Sequence, residues 1–145
     1  MKFTLFAFSL LVSGMAIAGQ VEDAFKANDK LFNTLLGSDQ TQVEKAAQEL
    51  ATFIEKDKTP ELKGLKEGLK SLKSISKANS KDKNIELYQN VAPAFVTLRR
   101  TGKVENYEVY YCPMIKKHWV QNHKATPAVR NVFAQYMLEC GELSK

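Results

Sequence analysis

Apolar side chains recur every three to four residues along most of this chain, in four separate stretches. That period constrains the fold more than any other feature, because an α-helix gathers such positions onto one face. Val21, Ala24, Phe25, Phe32, Leu35 and Leu36 make the first stripe, and Gly37 is placed to stop it. Val43, Ala46, Ala47, Leu50 and Ile54 make the second, with Thr41 and Glu44 spaced as a capping box. Thr59-Pro60-Glu61 opens the third with a cap, a proline at the first helical position and an acid at the positive dipole end. Leu62, Leu65, Leu69 and Leu72 continue it, although Gly64 and Gly68 each weaken a helix by about 1 kcal/mol against alanine. A polar loop follows over Lys77–Asn84, and Asp82 is placed to cap the next helix. Ile85, Tyr88, Val91, Ala92, Phe95 and Leu98 form the fourth stripe, which Gly102 closes. Pro93 inside it removes a backbone donor and predicts a kink or a break. Short connections make successive helices antiparallel neighbours. The expected fold is therefore all-α: an up-down bundle of about four helices with a small irregular C-terminal subdomain.

The N-terminus reads as an address rather than as part of the fold. Met1-Lys2 is a short positive start, Phe3 to Val12 is almost unbroken apolar sequence, and Ala16-Ile17-Ala18 gives the small-x-small pattern of a signal-peptidase site. The expectation is a signal peptide over residues 1–18 and a single exported domain over residues 19–145. The apolar run is short for a membrane anchor and no charged stop-transfer cluster follows it. The mature chain is thus expected to be periplasmic and soluble, with no membrane span, in a compartment where disulfides persist.

Past Gly102 the texture changes. Tyr107, Val109 and Tyr111 alternate with Glu108 and Tyr110, which predicts a short extended segment. His118-Trp119-Val120 reads as a short helix. Thr126-Pro127 repeats the cap-and-proline start, and Val129, Val132, Phe133 and Met137 predict a last helix ended by Gly141.

Enzymatic motifs are missing: no nucleophile elbow, no phosphate-cradling glycine loop, no HExxH and no CxxCH. The expectation is that the protein is not an enzyme. The excess of 21 Lys and Arg over 16 Asp and Glu is modest and spread over polar helix faces. A nucleic-acid partner would need cations interleaved with exposed aromatics in one groove, so none is expected.

Chemistry concentrates near the C-terminus. Cys112 and Met114 flank Pro113, while Met137 and Cys140 are three residues apart and would share a helical face. His118 and His123 lie between. Thiolate and thioether are soft donors that suit Cu(I), and Ag(I) by the same argument. The candidate metal ligands are Cys112, Met114, Met137 and Cys140, with His118 as a possible fifth. The alternative is a Cys112–Cys140 disulfide, which on loop-closure entropy would contribute roughly 3.5 kcal/mol. The two states are exclusive, because a metal needs the thiolates.

Tyr111-Cys112-Pro113-Met114, then Trp119, then Asn131-x-Phe133-x-x-x-Met137-x-x-Cys140-Gly141 resembles domain-of-unknown-function family 3347. That family occurs as exported bacterial proteins and fused to periplasmic adaptors of copper and silver efflux pumps. The resemblance covers about residues 110–142. It implies a helical bundle with a Cu(I) or Ag(I) role and, as partner, a periplasmic copper-efflux component. Three positions depart from the family's pattern. Tyr111 stands where a His often precedes Cys-Pro-Met, Val132 replaces a proline and Ala134 a glycine. The first departure removes one candidate ligand.

Overall fold

The computed structural model describes residues 12–102 and 104–145. Residues 1–11 of the expected signal peptide lie outside the described residues, and the expected cut after Ala18 falls within the first helix. Helix α1 spans Val12–Leu36 and α2 spans Gln40–Lys56. A 3-10 helix over Pro60–Gly68 runs into α3, Leu69–Ser74, and α4 and α5 follow at Lys81–Tyr88 and Ala92–Thr101. Three strands complete the order: β1 (Tyr107–Cys112), β2 (Lys117–Asn122) and β3 (Glu142–Leu143).

The helical stripes bury as their spacing demands. Phe25, Phe32, Leu35, Val43, Leu50, Leu72 and Phe95 are wholly buried and share one core. Removing each of these side chains from water stabilises the fold by roughly 1.5–3 kcal/mol. One polar pair sits among them: the Tyr88 hydroxyl donates to Asn28 Oδ1 at 2.9 Å. No described helix is long and apolar enough to cross a membrane.

Helix ends follow local chemistry, with two corrections. Asp39, rather than Thr41, caps α2, its carboxylate accepting from the Thr41 and Gln42 amides. Glu44 instead reaches across to the Ser76 hydroxyl and the Lys77 amide, fixing the loop after α3. Ser80, rather than Asp82, caps α4. The ammonium of Lys81 donates to the Leu36 carbonyl, placing a cation at the negative end of α1. The expected break near Pro93 is real: α4 ends at Tyr88, and Pro93 lies in the first turn of α5.

The C-terminal third corrects the all-α expectation. Tyr107–Tyr111 is extended as expected, but the segment around Trp119 is a strand and not a helix. The strands form an antiparallel sheet in the order β2-β1-β3. The physical reason is pairing. Val109 meets Val120 and Tyr110 meets Trp119 across the hairpin, so aromatic and β-branched side chains pack in cross-strand pairs. No helix follows Pro127 either; residues 123–141 form a chain of turns.

That loop has a task a helix could not perform. One sheet face carries Tyr107, Val109, Tyr111, Val120 and His118, and Tyr107 packs against Phe25 of α1 with ring centroids 5.1 Å apart. The opposite face carries Tyr110, Cys112, Trp119 and Gln121. The turns of residues 126–141 lie over it, fixed by polar contacts described below.

Candidate metal and disulfide site

Cys112 ends β1 and Cys140 precedes β3, and the two are joined in a disulfide with Cα atoms 5.4 Å apart. Cys112 is wholly buried, and Cys140 is half-buried. The bridge belongs to a knot that anchors the C-terminal loop to the sheet. Gln121, buried in β2, donates from Nε2 to the carbonyls of Thr126 and Ala128, each at 2.7 Å, and its Oε1 accepts from the Arg130 amide at 3.0 Å. Asn131, also fully buried, donates from Nδ2 to the Cys140 carbonyl at 2.9 Å and accepts the Phe133 amide on Oδ1 at 3.0 Å. Its own amide donates to the Leu138 carbonyl at 2.7 Å. A single asparagine thus closes the loop on itself beside the bridge.

Trp119 is the platform beneath. It is wholly buried and stacks on Tyr110 with centroids 5.9 Å apart. Gly141 lies so close above it that a Cβ there would come within 2.6 Å of the indole Cη2. Val132 and Ala134 are both buried. Phe133 extends from the loop to stack on Tyr88 at 5.8 Å, linking the loop to α4.

The sequence-predicted ligands divide into those brought together and those kept apart. Cys112 and Cys140 are bonded, so as disulfide sulfurs they offer no thiolate. Met137 and Cys140 do not share a helical face, since no helix is present; the Cys140 amide donates to the Met137 carbonyl at 2.9 Å across one turn. Met137 is half-buried. Met114 occupies the β1–β2 turn and is 71% exposed. His118 pairs with Tyr111 across the hairpin, their rings 4.4 Å apart. Because Cys112 is the next residue along β1, its side chain leaves the opposite sheet face from this ring pair. Burial first, and the Arg100 guanidinium second, hold the His118 imidazole below its ordinary pKa. His123 is exposed at the loop start.

Among the described residues no three His, Cys, Asp or Glu side chains are grouped to hold a metal. A metal near the bridge would therefore draw on thioether sulfur and on thiols released by reduction. Gln121 is the residue that sequence reasoning missed. Its signal was a lone amide side chain directly after the apolar pair Trp119-Val120. No protein-family model, curated protein or solved structure matches the chain.

Proposed function

We propose that this protein is an exported soft-metal carrier, with Cu(I) or Ag(I) as its cargo and no bond-making chemistry of its own. The observation that supports this reading is Met114. Trp119, Asn131, Val132 and Gly141 all have packing or hydrogen-bonding roles in the knot, whereas Met114 sits exposed two residues from Cys112 with no such role. An exposed thioether two residues along the chain from a bonded cysteine fits soft-metal capture better than core filling.

In this reading the bridge is the closed form. A dithiol reductant supplies two electrons and two protons, the S–S bond breaks, and Cys112 and Cys140 become thiols. Each thiol loses its proton when metal binds. With Met114 and Met137 they form a four-sulfur set that would release metal to a partner by ligand exchange. His118 lies on the other sheet face and is left out of the set we propose. Export to the periplasm would supply the oxidising surroundings in which the bridge persists.

The test is an anaerobic Cu(I) titration of reduced protein lacking residues 1–18, against a competing chelator. Wild type should bind one equivalent after reduction and none before. Met114→Leu keeps volume and exposure, and should weaken binding at least roughly tenfold. Cys112→Ser should abolish stoichiometric binding with helicity retained. Equal affinity in Met114→Leu and wild type would refute the proposed ligand set.

A second reading rests on the complete burial of Cys112 and on the hydrogen bond from Asn131 to the carbonyl of its partner Cys140. There the bridge is a permanent staple of a protein-interaction bundle. Thiols that stay blocked in the presence of copper and a mild reductant would favour it.

A further inference from the structure

His118 is excluded from the sulfur set but lies in a second feature. A cleft of about 370 Å³ opens between α5 and the start of β2. Arg100, Lys116, Lys117 and His118 line it on the polar side, and Val96 and Phe133 are among its apolar residues. No carboxylate lines it. By contrast, the cleft between the 3-10 helix and α5 is lined by Glu61 and Glu67 and by no Lys or Arg.

Three features suit this cleft to a ligand. Its volume falls in the range of small-molecule sites, roughly 300–1,000 Å³. Its three permanent cations have no acid among the lining residues to neutralise them. Arg100 spends one guanidinium nitrogen on the Ser144 hydroxyl at 3.1 Å, which fixes the side chain and leaves its other donors for a ligand. The third feature is the backbone at Lys116, which holds a left-handed φ of 55°. That conformation is costly for a residue with a Cβ, and it sets the turn that brings the Lys116–His118 segment to the cleft.

We propose that this cleft binds a small organic anion, with its carboxylate or phosphate at Arg100, Lys116 and Lys117 and its apolar body against Val96 and Phe133. The His118 ring offers an N–H for a further hydrogen bond. The anion would relieve the mutual repulsion of the cations, and the apolar residues would select against a bare inorganic ion. This site is separate from the bridge and does not depend on metal binding.

The test uses the oxidised protein and four probes: phenyl phosphate, benzoate, inorganic phosphate and benzyl alcohol. Binding is followed by amide chemical shifts and calorimetry. Phenyl phosphate or benzoate should saturate with a Kd of about 1 mM or tighter and shift the Lys116–His118 and Phe133 resonances. Whichever of the two binds more tightly identifies the head group. Arg100→Gln and Lys116→Gln, both at exposed positions, should each weaken binding at least roughly tenfold while leaving thermal unfolding unchanged. Inorganic phosphate binding as well as phenyl phosphate would overturn the apolar half of the proposal. Benzyl alcohol binding as well as benzoate would overturn the anionic half. The absence of saturable binding by any probe would overturn both.

Discussion

Replacing Gly141 with alanine tests whether the C-terminal loop is held by contact with the indole of Trp119. The added Cβ would sit 2.6 Å from Cη2 and 3.0 Å from Cζ2 of Trp119, and 2.9 Å from Cγ1 of Val129. Carbon atoms prefer about 3.5–4.0 Å, so the overlap approaches 1 Å. The ring has little room to yield, because it is wholly buried and stacked on Tyr110. No described glycine has a positive φ, so the substitution meets no backbone strain, and the restriction it places on the unfolded chain offsets only a small part of the clash. Overpacking of this kind costs about 1–3 kcal/mol, and the rigid neighbour argues for the upper half of that range. At about 2 kcal/mol, Tm should fall by roughly 6–10 °C in a domain of this size. Circular dichroism measures the shift, and Trp119, the sole tryptophan, reports the local change through its fluorescence. Gly64→Ala is the matched control, since a Cβ there meets nothing within 4 Å, and it should be neutral or slightly stabilising. An unchanged Tm and emission spectrum in Gly141→Ala would show that the loop does not rest on Trp119, and the account of the knot would fail.

Three further outcomes are expected. Asn131→Ala strands the Phe133 amide and the Cys140 carbonyl in a partly buried site, so the urea midpoint should drop by the equivalent of about 1–3 kcal/mol with an unchanged m-value; wild-type stability in this variant would show that water replaces the side chain. Removing the bridge as Cys112→Ser/Cys140→Ser should cost roughly 3.5 kcal/mol by loop-closure entropy and expose the 126–141 amides to hydrogen exchange before those of α1 and α2. At high pH, burial holds the Tyr88 hydroxyl above its ordinary pKa despite the hydrogen bond to Asn28, and burial raises Tyr107 and Tyr110 as well. Above about pH 10 the unfolded chain loses tyrosine protons that the folded chain keeps, so stability should decline with rising pH from there. Absorbance at the phenolate band, followed together with helicity, checks this; five tyrosines all titrating near their ordinary value with helicity intact would contradict it.

The helical part was legible because its signals are local. Phe25, Phe32 and Leu35, or Val43, Leu50 and Ile54, lie on one face wherever the chain is helical, and all are buried. Pro60 and Pro93 mark helix starts through a fixed φ and a missing donor, and both lie at the beginning of a helical element. The caps were less legible. Asp39, Thr41, Ser80 and Asp82 are all capable acceptors, and the choice among them turned on one or two residues of register.

The C-terminal third escaped sequence reasoning because its determinants are specific side-chain and cross-strand contacts that apolar periodicity does not encode. Val129, Val132, Phe133 and Met137 are spaced as on a helix, yet that segment is held as turns by Gln121 of the preceding strand, by Asn131 bonding forward to Cys140, and by the bridge back to Cys112. The cleft beside Arg100 was invisible for the same reason, since α5 and β2 meet only in three dimensions.

The sequence by itself determined the apolar faces of the helices before Gly102, the extended run from Tyr107 and the choice facing two cysteines: bond each other or hold a soft metal. The periodicity of apolar residues and the chemistry of sulfur need no tertiary information. Only the tertiary structure decided that Cys112 and Cys140 are joined, that His118 leaves the opposite face from Cys112, and that Gly141 must be small. Each of these depends on which atoms meet once the hairpin has paired and the loop has folded back onto Trp119, which spacing along the chain does not specify.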